Sequence, residues 1–389
     1  MTGVIRVAFV HHFYPHYRLP VMRYLDADPS LACTFIGDDH EPQGLIAPAS
    51  IPDGMRFVHA PAARVIGPVM WQWGAVQAAL SPRFDVLVLH GVAYWASMWV
   101  AAAVGRAVGK RVFLWGHGYL YPPRGLKGLL RRCFYSLPHA HLLYGRNAKE
   151  IGRAHGWSDG GLHVVHNGFD PKEVEAAALS VAREEGATLR AELFGDGDAL
   201  VVACPTRLIS LRRLDLLVGA CALLRRRRLP VCLLLIGSGP EQERLVALCS
   251  SAGVPAHFEG SCYDEGRIAR LLLASHVGAA PGCVGLSAIH CMSYGLPVVT
   301  HGDARYQMPE FEAVIPGQTG SLFARGDVDS LAVALEYWLR DSHRRAEAAN
   351  ACRSVVARFW NARTQALAIS RALRGAEADD LWQFRELHQ

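Results

Sequence analysis

Residues 281–301 read PGCVGLSAIHCMSYGLPVVTH, an order of residue types that implies a loop, a short helix, a tight turn and a buried strand. Gly282 and Gly285 flank Cys283 and Val284, so the backbone there can bring its N–H groups close to a partner. Leu286, Ile289 and Met292 recur at helical spacing, and Ser287 and His290 share another face. Gly295 ends the helix and Pro297 prevents its continuation. Val298, Val299 and Thr300 then enter a strand. A glycine loop that opens a helix suits an anion, because free N–H groups and the helix dipole point at the same place. Simple close packing of the loop is the alternative reading.

The segments around this stretch alternate between apolar strands and helices. LVVACPTRL (200–208) reads as strand and loop, 214–224 as helix, and VCLLLIGSGP (231–240) as strand and loop. A helix over 241–251, a strand over 256–258, a helix over 264–273 and a strand over 277–280 complete the approach. Downstream, PGQTGSLF (316–323) predicts a turn and an edge strand. Helices are expected over 327–339 and 343–360, then a helical tail to residue 389.

The N-terminal half repeats the theme. A strand over 5–11 runs into HHFYPHYR (11–18), then a helix over 19–25 and a strand over 33–36. Short apolar runs lie at 57–59 and 84–89, with a helix near 70–80 between them. A Trp-rich helix, RVFLWGHG (111–118), a basic helix near 126–135, a strand at 141–144, a helix at 147–155 and a strand at 162–165 follow. Residues 171–197 are charged and Ala-rich and read as helix and linker. Such alternation implies right-handed crossovers and parallel sheets covered on both faces. The fold class is therefore α/β, with two doubly wound Rossmann-like domains. The expected boundaries are 1–180 and 181–360, with a helical tail, 361–389, crossing back to the N-terminal domain. Sheets of this kind bind ligands at the C-terminal ends of their strands.

Composition bounds the function. The 389 residues are 51% hydrophobic and 19% charged, which supports a large core and opposes wholesale disorder. Ten cysteines occur without a CxxC pair, mostly in apolar runs. That favours reduced, buried thiols in a cytoplasmic protein over disulfides or zinc. The start, MTGVIRVAFVHH, reads as a strand rather than a signal peptide. A net charge of +5 suits an anionic small ligand or a membrane surface and is too weak to argue for nucleic acid.

PTRLISLRRLDLL (205–217), LLLIGSGPEQERL (233–245), FEGSCYDE (258–265), the 281–301 stretch, MPEFEAVIPGQTGSLF (308–323) and VVHNGFD (164–170) together resemble the family 4 glycosyltransferases. These are retaining enzymes of the GT-B fold, in which two Rossmann-like domains face each other across a cleft. The resemblance spans the chain and is most specific in its C-terminal half. It implies that Arg207 and Arg212 hold a nucleotide diphosphate, although Arg213 is adjacent to Arg212 and either could turn inward. Gly237 and Ser238 would close the strand end beside the base, and Tyr263 would stack on the base or lie on the surface. The amides of Val284, Gly285 and Leu286 would face the diphosphate, with Ser287 beside them. The family's E-x7-E element falls on Gly282 and His290, so both glutamates are absent and His290 is left to hold the ribose. Glu310 matches a glutamate that either faces the cleft or caps a helix.

On the N-terminal side the resemblance makes His117, in WGHG after the RVFL strand, the candidate catalytic residue near the reacting centre. His16, Tyr17 and Arg18 are candidates for the acceptor or the leaving phosphate. His11 and His12 alternate in direction, so at most one is expected to face the ligand. The implied reaction moves a sugar from a nucleotide-diphosphate sugar to a glycan, lipid-linked or small-molecule acceptor hydroxyl with retention. No DxD pair stands at a strand end, so no metal and no cofactor is expected. The segment PPRGLKGLLRRCFYSL (122–137) interleaves Arg124, Lys127, Arg131 and Arg132 with leucines. It is either a peripheral membrane face or an amphipathic helix packed on its domain. A non-catalytic nucleotide-sugar-binding subunit and a GT-B sugar-nucleotide epimerase remain as alternatives.

Overall fold

The computed structural model describes residues 3–40, 47–182 and 185–377. The chain divides into two compact units, 1–167 with 362–389, and 168–361.

The first unit opens with β1 (Ile5–Phe13), α1 (Leu19–Asp26), β2 (Leu31–Asp38) and β3 (Phe57–His59). A hairpin of β4 (Ala62–Ile66) and β5 (Val69–Gln72) leads into α2 (Trp73–Leu80). Then come β6 (Val86–His90), α3 (Ala96–Ala107), β7 (Arg111–Gly116), α4 (Gly125–Tyr135), β8 (Ala140–Leu143), α5 (Arg146–Ala154) and β9 (Leu162–Val164). Seven strands form one sheet in the order β3-β2-β1-β6-β7-β8-β9, and every neighbouring pair is parallel. Phe9, Phe35, Val88 and Phe113 fill one face of it, and Val10, Leu87, Leu89 and Leu114 the other. Strands buried on both sides explain the unbroken apolar runs of the sequence.

The second unit contains α6 (Pro171–Leu179), α7 (Glu185–Phe194), β10 (Leu200–Pro205), α8 (Leu214–Arg226), β11 (Val231–Ile236), α9 (Gln242–Ala252) and β12 (Ala256–Gly260). It continues with α10 (Glu265–Leu273), β13 (Val277–Ala280), α11 (Leu286–Ser293), β14 (Val298–His301), β15 (Gly320–Phe323), α12 (Val328–Leu339) and α13 (Ser342–Phe359). Its sheet is parallel throughout, in the order β12-β11-β10-β13-β14-β15. A last helix, α14 (Ala362–Leu373), packs on α1 of the first unit. There Ser370 donates to the Asp28 carboxylate at 2.5 Å and Arg111 donates to the Leu373 carbonyl.

Three expectations change. The helix expected over 70–80 begins only at Trp73, because 69–72 pairs with 62–66 as a hairpin. Residues 171–197 are not a linker: α6 and α7 both pack on α10, and the first unit ends at Asn167 rather than near 180. Cys133 is exposed rather than buried, since it lies on the outer face of α4. The tail expected to reach residue 389 falls from 378 onward outside the described residues. No described helix is long and apolar enough to cross a membrane.

Each sheet has one point where the strand order reverses direction, between β1 and β6 in the first and between β10 and β13 in the second. Loops that leave neighbouring strands in opposite directions at such a point form a crevice at the carboxyl ends, which is where open α/β sheets bind ligands.

Candidate functional site

In the second unit the crevice is formed by the loops after β10 and β13. Arg207 follows β10; it is exposed, and its guanidinium has no hydrogen bond or ion pair among the described residues. Arg212 is partly buried and donates to the Cys283 carbonyl, so it reaches the 281–285 loop. Arg213 stands in the left-handed region at φ 49° and turns outward onto Asp215 at 3.0 Å. The structure thus separates the two adjacent arginines: Arg212 is the inward one.

The glycines around this crevice are dictated by backbone crowding. A Cβ on Gly237 would lie 2.0 Å from the Thr206 carbonyl oxygen. A Cβ on Gly282 would lie 2.4 Å from the Leu211 oxygen. Real Cβ atoms do not approach so closely, so no carboxylate side chain fits at 282 on this backbone. Ser238 is held by the Ser261 hydroxyl at 2.6 Å. Tyr263 is 67% exposed, which places it on the surface.

At the start of α11 the Val284 N–H donates to the Gln307 side chain at 2.8 Å. Val284 therefore does not present a free amide, contrary to the sequence reading. The same Gln307 amide donates to Thr300 and to the His301 carbonyl, which ties the loop to β14. The N–H groups of Gly285, Leu286 and Ser287 meet no acceptor among the described residues, as expected for a helix N-terminus.

His290 is buried, and its Nε2 lies 2.7 Å from the Glu265 carboxylate. The Tyr294 hydroxyl donates to the same carboxylate oxygen, and the Phe169 ring lies 4.5 Å from the imidazole. Burial opposes ionisation of Glu265, but the hydrogen bonds from His290 and Tyr294 together with the His290 charge outweigh it and hold the carboxyl below its usual range. The carboxylate that partners His290 of α11 thus comes from α10. Nothing in the order of residues pointed to Glu265, Phe169 or Gln307, since their roles depend on elements meeting in space. Glu310 is buried in the short helical turn Pro309–Ala313.

In the first unit the β1–β6 crevice gathers histidines. His117 follows β7, with its ring 4.9 Å from Tyr144. Burial, then the Arg18 charge, pushes its pKa down to about 4, so it is neutral near pH 7. Arg18 donates to the Tyr144 hydroxyl and stacks 4.6 Å above Trp115. His16 is exposed beside the Ala47 carbonyl at 3.3 Å, and Tyr17 is half-buried.

His11 and His12 do not diverge as strict alternation predicts. The register of β1 against β2 shifts between Val10 and Phe13, and such a bulge re-aims side chains. Both rings reach His90, at 5.1 and 4.5 Å. His90 ends the apolar run of β6 as His117 follows that of β7, so the rule that singled out His117 applied equally to His90.

Residues 187–355 match the family described as Glycosyl transferases group 1. The GDP-mannose-dependent alpha-(1-6)-phosphatidylinositol monomannoside mannosyltransferase of Mycolicibacterium smegmatis is 30% identical over 198 residues, which are 47% of this chain and 50% of that relative. The chain thus spans about half the length of the curated relative it matches. Among solved structures, HepE of Anabaena in complex with UDP superposes with a TM-score of 0.70 at 17% identity, over 95% of this chain and 99% of that one. A glycosyltransferase from Rickettsia africae gives 0.73 at 12% identity, over 95% and 99%. The chain accordingly has the GT-B fold of two Rossmann-like domains, and its residues 187–355 carry the match to Glycosyl transferases group 1.

Proposed function

We propose that the protein is a retaining glycosyltransferase that moves a sugar from a nucleoside-diphosphate sugar to an acceptor hydroxyl without a metal ion. The observation that carries this reading is the convergence at the β10–β13 crevice. An unengaged guanidinium, Arg207, stands with Arg212 and the open amides of Gly285 and Leu286 where the sheet leaves room for a ligand. Departure of the diphosphate builds negative charge on its β-phosphate, and preorganised donors at that point lower the barrier most. In this reading His117, neutral near pH 7, is the residue assigned to hydrogen-bond the sugar. The named relatives support a nucleotide donor: one is called GDP-mannose-dependent, and another was solved with UDP.

The same reading has the protein work on the cytoplasmic side, at a membrane surface. Leu126, Leu129 and Leu130 of α4 are 74, 56 and 53% exposed beside the exposed Arg124, Lys127 and Arg132, an arrangement suited to an anionic lipid surface.

The test is incubation with GDP- and UDP-sugars and acceptor extracts, with and without EDTA, followed by analysis of the anomeric linkage of the product. Transfer with retention that survives EDTA is expected. Binding without turnover would instead identify a nucleotide-sugar-binding subunit, and conversion of donor in the absence of acceptor an epimerase. EDTA-sensitive turnover would overturn the metal-free part.

A further inference from the structure

The crevice of the first unit holds an unbalanced set of polar groups. Six atoms lie out of reach of solvent with no hydrogen-bond partner among the described residues: His11 Nε2, His12 Nδ1, His90 Nδ1, Trp115 Nε1, His117 Nδ1 and Arg18 Nη1. Ring contacts link the groups into one cluster. His12 stacks on His90, His90 lies 5.1 Å from His11, and His11 lies 5.0 Å from Trp115. Trp115 underlies Arg18, which bonds Tyr144, which in turn packs on His117.

Arg18 brings a fixed positive charge that no carboxylate pairs among the described residues. Among the described residues Asp38 bears on the cluster through His12, and it is already engaged by the Ala62 N–H at 2.7 Å. A buried guanidinium without a counter-charge is costly, and such groups are ordinarily paired. Native proteins leave few buried donors unmatched, and a ligand or ordered water usually completes them. Fork-shaped guanidinium donors fit carboxylate and phosphate oxygens.

We infer that the β1–β6 crevice binds the anionic group, carboxylate or phosphate, of an acidic acceptor, with Arg18 as its counter-charge and the surrounding imidazole and indole groups as hydrogen-bond partners. All the groups that form the site belong to the first unit. Its assignment to the acceptor rests on the transferase reading. A divalent metal on His11, His12 and His90, whose ligating nitrogens lie within 4.8 Å of one another, fits less well because the Arg18 charge opposes a second cation.

The test is calorimetric titration of the full chain, first with a nucleoside diphosphate to saturation and then with inorganic phosphate, glucuronate, glucose 6-phosphate or uncharged glucose. One equivalent of anion is expected to bind, with glucose at least tenfold weaker. The phosphate and carboxylate arms distinguish the two anions. Arg18→Gln should weaken anion binding at least tenfold, and Arg18→Lys by less, while Arg207→Ala should leave it unchanged and weaken only the nucleotide step. Absence of saturable anion binding overturns the site, as does anion binding indifferent to Arg18→Gln in a protein whose melting temperature shows it folded. Stoichiometric zinc binding that is lost in His12→Gln and excludes the anion also overturns it. The nucleotide step reads the donor proposal separately: anion binding without any nucleotide binding keeps the Arg18 site but removes its assignment to an acceptor.

Discussion

The Arg212 guanidinium donates to the carbonyl of Cys283, and the Arg212 backbone occupies the space into which a Cβ on Gly282 would project, 2.8 Å away. Arg212 therefore anchors the 281–285 loop, and its backbone together with the closer Leu211 oxygen at 2.4 Å forbids a side chain at 282. At the position where the resemblance would put a glutamate, backbone from the loop after β10 leaves no room for a side chain.

A carboxylate introduced at position 282 should not be accommodated. Gly282→Glu forces the 209–213 segment or the 281–285 loop to move, and overpacking of this kind costs about 1–3 kcal/mol. With roughly 2–4 °C per kcal/mol for a domain of this size, thermal denaturation should show a clear drop. Nucleotide binding should weaken with it. A variant with unchanged melting and tighter donor binding would contradict the crowding argument.

The three arginines should separate by calorimetry. Arg207→Ala and Arg212→Ala each remove a charge-assisted contact worth about 1.5–3 kcal/mol, or roughly 10- to 100-fold in affinity for a nucleoside diphosphate. The free nucleoside should bind as before. Arg213→Ala breaks only an exposed pair with Asp215, worth about 0–1 kcal/mol, and should leave both affinities in place. Equal loss for nucleoside and nucleoside diphosphate in Arg207→Ala would remove its phosphate role.

His117 should act without titrating. Its pKa of about 4 keeps it neutral from pH 5 to 8, so the pH–rate profile should have no limb near 6.5 that disappears in His117→Ala. Loss of a hydrogen-bond donor aimed at developing charge typically costs about 10²–10³ in kcat, and a fall of that order is expected. Unchanged kcat in His117→Ala would place the residue outside the chemistry.

The first unit should be acid-labile. Burial lowers His12, His117, His141 and His163 to about 4 and His166 to about 3, against about 6.5 in the unfolded chain. The unfolded state then binds protons first, so stability is full above pH 6.5 and declines as pH falls toward 4. Chemical denaturation at pH 7 and 4.5 should show this loss. His141→Phe, which keeps a ring against Trp157 (4.2 Å between centroids), should reduce it. An unchanged slope in that variant would count against the argument.

A carboxylate in the second unit adds to the same trend at lower pH. Glu265 is held below its usual range by His290 and Tyr294 despite its burial. Its contribution is present above about pH 4.3 and is lost as pH falls through the depressed value. His290→Ala should therefore weaken the pH dependence of urea unfolding below pH 4.5, and a dependence identical to wild type would contradict the pairing.

Much of this was legible in the order of residues. Runs such as VCLLLI and VVHNGFD, each broken by glycine or followed by a polar turn, implied two parallel sheets because a strand buried on both faces must be apolar throughout. The same pattern put Arg207, Arg212 and the 281–301 stretch in or after strand-end loops, where the loops of such sheets diverge. Tertiary contact decided the rest. It chose Arg212 over Arg213, engaged the Val284 amide with Gln307, brought Glu265 to His290, and turned His11 and His12 toward one neighbour through a bulge. Local pattern records which side chains share a face of one element. Which atoms from different elements meet is set by packing between them, and that information is spread over residues far apart in the chain.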